Sequence, residues 1–529
     1  MFLQQLLPNG TRLAFHDLQP DEMESWLETL PSAQPGEAAR ALVAQLAELR
    51  RTNLTVRSRL KLLELMRDKA ESLLPGIQQR LDGASLPLPP TLQQAVIDGN
   101  SLLKALSLGY AMVADAISGK WSGLGFQKPL LLAATQGLRL NGRRLELAYA
   151  VYARGSRSAW TELHRLYRLL RAAGAADMPA EGAEELPERV YVKALLLAFA
   201  EPTRFAPGDL DRVQFYLERY GHLAQLEPAS TLQAAGERGA FLIREGATEA
   251  GFSLHRWRDG PWQPSDLVLR CDPLVKKLVG QIDGLERGIM PAKLGLPRNA
   301  AQPEYLALLR ELAKLWSAPP SRRHPRTHFR PRVDVVLGCT ALRAFIAGPA
   351  FRRRTQDGPV SADAEGEMTE WTVTNESPDG FALRYVGGNT GEVRVGEILA
   401  IRPRGSSAMH IAIVRRATST VASLEIGVQM LASRAAAATV NLPGEGGPQS
   451  AVQRQVQVIF LPRMPAFDNA PAILAPPGTI GYGIEFTMPC KGRNMLMRVA
   501  RCIAKTPTCE VLVLEKQAAH NDEESEAAA

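Results

Sequence analysis

Two short clusters carry the residue types best suited to recognition chemistry. Arg322 and Arg326 lie in Ser321-Arg-Arg-His-Pro-Arg326, with Arg323 beside the first, and Asn375, Ser377 and Gly380 fall in Asn-x-Ser-x-x-Gly. A guanidinium is planar and permanently charged, and its fork of donors fits two phosphate oxygens or the O6/N7 edge of guanine. It also lies flat on a purine face through cation–π contact. A carboxamide and a hydroxyl on a turn offer groups that can read a base edge. Gly380 suits a position of positive φ, or one where a ligand approaches the backbone closely. The chemistry these types support is binding of phosphate and purine.

Other chemistries lack their residues. There is no G-x-x-x-x-G-K-[ST] phosphate loop, and the eight histidines show no H-E-x-x-H or other metal-ligand spacing. Gly387-Gly-Asn-Thr-Gly391 reads as a turn without the carboxylates that would hold a catalytic metal. Neither an enzyme nor a metal or cofactor site is expected. With 62 Lys and Arg against 55 Asp and Glu, the formal charge is +7, too mild for a general nucleic-acid coat. Five cysteines without C-x-x-C spacing read as reduced thiols. The start of the chain lacks the basic and apolar regions of a signal peptide. Its longest apolar runs, such as Ala194–Ala200, fall well short of the ~18 residues that a bilayer span needs. A cytoplasmic protein is expected, reaching any membrane only through a partner.

The elements that must position the two clusters divide by period. After a lead-in to about residue 35, apolar residues recur by threes and fours. Val56, Leu60, Leu63, Met66, Ala70, Leu73, Ile77 and Leu81 define one long helix with Asn53 as its N-cap. Similar spacing predicts helices at about 91–118, 126–152, 158–173, 187–200, 209–226, 265–288 and 302–317. Phe241 and Phe252 mark a small hairpin. Residues 1–320 therefore read as a helical bundle or short α-solenoid. Beyond Ser317-Ala-Pro-Pro-Ser321 the period becomes two. Strands are expected near 333–337, 371–374, 381–386, 398–402, 411–415 and 424–430, closing a small antiparallel barrel over 321–440. After the Gly/Pro stretch 441–448, four more strands over 450–516 without either cluster suggest a second, smaller barrel-like β-domain or an extension of the first barrel. Residues 517–529 form an acidic, Ala-rich tail expected to be disordered.

The paired arginines, the Asn-x-Ser-x-x-Gly turn, Val395-Gly-Glu-Ile-Leu, His410-Ile-Ala-Ile-Val-Arg and Leu424-Glu-Ile-Gly-Val-Gln-Met stand in the order found in the PilZ domain. The stretch 320–432, about a fifth of the chain, resembles that family. The resemblance implies a β-barrel that binds the bacterial second messenger cyclic di-GMP through Arg322, Arg323, Arg326, Asn375, Ser377 and Gly380. Arg326-Thr-His-Phe-Arg330 also has the arginine spacing, but the earlier pair lies at the family's usual distance ahead of the first strand. The stretch 338–370, with Arg352-Arg-Arg354, looks like an insertion between the first two strands, where family members have a much shorter connection.

The expected function is a cyclic di-GMP receptor. Ligand binding would order the arginine lead-in and alter contacts of the helical part with a protein partner, in motility, pili or biofilm control as the family implies. Two alternatives compete with it. In one, a ligand-silent scaffold keeps the fold and holds protein partners. In the other, the nine arginines between Arg322 and Arg354 bind RNA or DNA, which the scarcity of neighbouring aromatics argues against.

Overall fold

A computed structural model of the protein describes residues 19–516, apart from 82–83, 119–126, 181–184, 233–236, 257–261, 320–330, 348–367, 378, 389–392, 405–408, 421–422, 444–453, 465–466, 491–492 and 507. The apolar series from Val56 is the inner face of α3 (Val56–Leu81), and Leu60, Leu63, Met66, Ala70, Leu73, Ile77 and Leu81 are all buried. Its cap is Thr55, not Asn53. The Thr55 hydroxyl accepts the Ser58 backbone N–H at 3.2 Å, because the cap must directly precede the first helical residue. Within the expected lead-in lies α1 (Pro20–Thr29), too short to display a period, and α2 (Pro35–Arg51) follows it.

Helices α4 (Pro90–Ser118), α5 (Gln127–Ala150), α6 (Arg157–Ala172), α7 (Pro187–Phe199) and α8 (Asp209–Tyr220) continue the same apolar core. The helical run is then interrupted. A four-stranded antiparallel sheet forms from β1 (Gln225–Pro228), β2 (Ala240–Ile243), β3 (Phe252–Ser253) and β4 (Leu267–Arg270), in the order β1-β4-β2-β3. The Phe241 and Phe252 hairpin is present as β2 and β3. Its neighbours β1 and β4 were not expected, and the helix read from 265 begins at Asp272 as α9 (Asp272–Glu286). Leu267-Val-Leu is continuously apolar, a pattern that a buried strand shares with a buried helical turn. This helical unit closes with α10 (Pro303–Ser317) and comprises residues 1–84 and 88–322, while 85–87 and 323–529 form the second unit.

One polar group is held deep in the helical core. His164 on α6 meets the Tyr191 hydroxyl through Nδ1 at 2.6 Å and the Glu249 carbonyl through Nε2 at 2.8 Å. A carbonyl only accepts, so Nε2 carries the proton and Nδ1 accepts from Tyr191. Burial holds the imidazole below its ordinary pKa, against the opposing effect of the Glu249 carbonyl.

The second unit contains two closed six-stranded antiparallel barrels. The first joins β5 (Arg332–Leu337), β6 (Thr369–Ser377), β7 (Gly380–Gly387), β8 (Ile398–Pro403), β9 (His410–Ser419) and β10 (Leu424–Ala432), in the order β10-β7-β6-β5-β8-β9. The expected 338–370 insertion opens with α11 (Cys339–Ala347), which buries Leu342 and Phe345, and its arginines 352–354 lie outside the described residues. The second barrel joins β11 (Ala436–Leu442), β12 (Arg454–Leu461), β13 (Ala472–Ala475), β14 (Glu485–Cys490), β15 (Arg493–Lys505) and β16 (Glu510–Lys516). Its first strand thus lies ahead of the Gly/Pro stretch at which the sequence places a division. The second barrel is also as fully stranded as the first, where four strands were expected.

The barrels share one apolar layer. Leu342, Phe345, Ile398 and Ile411 pack in the same cluster as Ile459, Phe467, Leu474 and Val511. Beside it, the Thr508 hydroxyl donates to Glu397 Oε1 at 2.6 Å, so the acid of Val395-Gly-Glu-Ile-Leu anchors the second barrel.

Two outcomes are expected. Because the folded imidazole of His164 resists protonation, its stabilising effect is complete above the unfolded histidine value of about 6.5 and is lost as pH falls toward the depressed folded value. Chemical denaturation of wild type and His164→Gln at pH 7.5 and 5.0 should show a larger acid loss in the wild type. Phe467→Ala should destabilise the second unit by about 3–5 kcal/mol, and hydrogen exchange should speed up on β8 as well as β13. Protection of β8 unchanged by the substitution would mean that the barrels do not share a core.

Candidate functional site

The polar corner named from the sequence is the turn between β6 and β7. Asn375 lies across from Ala382, and Ser377 across from Gly380, after a bulge between Val373 and Asn375. The Ser377 hydroxyl donates to the Gly380 carbonyl at 3.2 Å, a bond that tightens the turn. Gly380 is required by the sheet itself. A Cβ there would stand 2.0 Å from the Val428 carbonyl oxygen of the neighbouring β10. The Met430 backbone N–H donates to the Asp379 carbonyl at 2.9 Å, locking the turn onto that strand.

Register decides what the corner faces. Val373, Leu383, Ile426 and Ala417 follow one another across β6, β7, β10 and β9, and all are buried in the barrel. The adjacent row, of opposite parity, runs Asn375, Ala382, Gly427 and Arg416 on the outer face. The next outer row holds Ser377, Gly380 and Gln429, and Arg415 donates to Gln429 at 2.8 Å. The face is thus floored by a methyl group and two glycines and rimmed by Asn375, Ser377, Gln429 and Arg416. Register brings Arg416 and Gln429 to the corner. Their strands could be read from the sequence, but the pairing that aligns them could not.

Cations near the start of β5 are committed to carboxylates. Arg332 pairs with Glu370 at 3.0 Å, and Arg404 with Glu370 at 2.5 Å and Asp334 at 3.6 Å. Arg402 reaches Asp334 at 3.4 Å and lies 4.7 Å over the Phe345 ring. Arg384 on the outer face pairs with Glu425 at 2.6 Å. Of the nine arginines between 322 and 354, Arg332 is therefore a structural ion-pair partner. Arg322, Arg323 and Arg326 lie outside the described residues, so Asn375, Ser377 and Gly380 are the site residues that the structure brings together.

His410 opens β9, its ring 5.5 Å from that of Phe381, and burial lowers its pKa despite the opposing charge of Glu376. Among the described residues its Nδ1 is buried without a hydrogen-bond partner, no group of three or more His, Cys, Asp or Glu is placed to hold a metal ion, and no helix is long and apolar enough to cross a membrane.

Comparison with known proteins agrees with this architecture. A family model described as the N-terminal domain of the cyclic-di-GMP receptor FimW matches residues 21–230, and one described as the middle PilZ domain of the same receptor matches 350–437. The cyclic-di-GMP receptor FimW of Pseudomonas aeruginosa is 22% identical over 534 residues, covering 89% of this chain and 86% of that protein. No solved structure matches. The second match begins beyond β5 and ends just inside β11, so it takes in the corner and the strands whose register builds the outer face. The helical N-terminal region and the six-stranded barrel with this polar corner thus coincide with segments that are similar to the N-terminal domain and the middle PilZ domain of that receptor.

Proposed function

We propose that this protein is a receptor for cyclic di-GMP and that the ligand binds on the outer face of the first barrel. The observation that carries the reading is the β6–β7 corner, where Asn375, Ser377 and Gly380 stand together beside a floor of small residues. The paired arginines of the sequence precede β5 of the same barrel. The relative named as a cyclic-di-GMP receptor extends over most of the chain and supports the same ligand.

In this reading Arg322, Arg323 and Arg326 neutralise the two phosphates and stack on guanine, while Asn375 and Ser377 meet a base edge. Gly380 keeps the turn against β10. The output is a changed surface for a protein partner, with the helical unit of residues 1–320 as the adaptor and motility, pili or biofilm control as the setting. The barrel of 321–440 would be the sensor, and the β-domain of 450–516 would buttress it through the shared apolar layer. The reaction is binding without catalysis, in the cytoplasm, with no cofactor.

Titration calorimetry of the full chain with cyclic di-GMP tests the reading. For an affinity near micromolar, about 8 kcal/mol, Arg322→Ala, Arg326→Ala and Asn375→Ala should each cost roughly 1–3 kcal/mol. Absence of heat with the wild-type chain, and of any ligand-induced rise in melting temperature, would leave the scaffold role in its place. Gly380→Ala should destabilise the barrel by about 1–3 kcal/mol through backbone strain, because β7 must move from β10. Thermal denaturation without ligand checks this, and a melting temperature equal to wild type would contradict the close approach of Val428.

A further inference from the structure

We infer that Arg416 is a base-reading residue of the same site, contacting the guanine edge of the cyclic dinucleotide from the side opposite Asn375. This rests on the reading of the outer face of the first barrel as the nucleotide site.

Three observations lead to Arg416. The register places Asn375, Ala382, Gly427 and Arg416 in one outward row across four strands. At about 4.8 Å between strands, the ends of such a row stand roughly 14 Å apart. Between those ends the row carries one methyl group, on Ala382 at 4% exposure, and one hydrogen, over which the Arg416 stem lies, so no other bulky side chain of the row stands between Arg416 and Asn375.

The second observation is the path of the arginine. A Cβ built on Gly427 would stand 2.4 Å from Arg416 Nε, 2.6 Å from its Cγ and 2.9 Å from its Cδ. The side chain therefore runs inward across the bare backbone of β10, toward Ala382 and Asn375, and does not extend away from the barrel. The close atoms belong to its stem and Nε, not to a free tip. Substitution at Gly427 must move the whole guanidinium.

The third is chemical. A guanidinium fork matches the O6 and N7 acceptors of guanine, whereas adenine presents a donor at N6 where guanine has O6. A neutral carboxamide at the far end of the row adds donors and an acceptor without a second charge. An arginine and an asparagine facing each other across a flat floor suit a guanine base better than a phosphate, which needs no flat surface.

The test is calorimetric titration of the full-length protein with cyclic di-GMP and with cyclic di-AMP, for the wild type, Arg416→Ala, Arg416→Lys and Gly427→Ala. Arg416→Ala should weaken cyclic di-GMP binding roughly tenfold or more and narrow its preference over cyclic di-AMP. Lysine should restore only part of the loss, since a point charge cannot make the bidentate contact. Gly427→Ala should reproduce the loss by displacing Arg416. Melting curves without ligand confirm that each variant is folded, and an Arg416→Ala chain that fails to fold leaves Arg416→Lys and Gly427→Ala to decide. Full-strength cyclic di-GMP binding by these variants would overturn the role of Arg416 and leave the site in place. Equal weakening for both dinucleotides would overturn base reading. A wild-type chain that binds neither would overturn the site itself, and this inference with it.

Discussion

The close pairing of β7 with β10 at Gly380 is the constraint on which the first barrel depends. The Val428 carbonyl occupies the space that any side chain at residue 380 would take, and the Asp379 carbonyl is held by the Met430 backbone N–H. That contact fixes which residues of β10 stand beside which residues of β7. Since side chains alternate with a period of two, a slip of one residue would turn Leu383 and Ile426 outward and Ala382 and Gly427 into the core. The turn, the buried row and the outer row are therefore consequences of one register. A polar corner built this way is rigid because the core holds it, as a recognition surface requires.

A second constraint comes from the back of the same barrel. Ile398 and Ile411 belong to β8 and β9, yet they pack with Ile459, Phe467, Leu474 and Val511 of the second barrel. Exposing such a layer would leave a large apolar patch of the kind monomers avoid. The second barrel needs no ligand-binding signature to account for its presence, because covering this layer is itself a structural role. Glu397 shows how closely the two are fitted. Its carboxylate is buried at 6% exposure and accepts the Thr508 hydroxyl, satisfying a charge that would otherwise be costly to bury.

How much of this was legible in the sequence follows from the range of each interaction. Helical faces repeat over many residues, so α3 could be assigned residue by residue, and the period-two alternation marked all six strands of the first barrel. Short elements carry too few repeats. The strands β1, β4 and β13 have four residues each, and α1 has ten, so tertiary packing decides their state. The corner was legible because Asn375, Ser377 and Gly380 are neighbours in the chain. Arg416 and Gln429 were not, because only the long-range pairing of β9, β10 and β7 brings them to it. The role of Glu397 was not legible within Val395-Gly-Glu-Ile-Leu, since its partner lies 111 positions away.

The two glycines of the outer face differ in what they explain. Glycine within a strand weakens it, by roughly 0.5–1 kcal/mol relative to alanine, through lost conformational entropy and absent packing. At Gly380 the fold itself requires the loss, for backbone stands where a Cβ would be. At Gly427 the atoms in the way belong to a side chain, Arg416, which another rotamer could carry clear of the strand. The sheet would accept a larger residue at 427 if Arg416 were free to turn away. A strand weakened so that an arginine can lie across it makes sense where the arginine's direction matters more than the strand's stability. Local propensity yielding to a side chain's placement is the pattern expected at a functional surface, and here it occurs on the same face as Asn375 and Ser377.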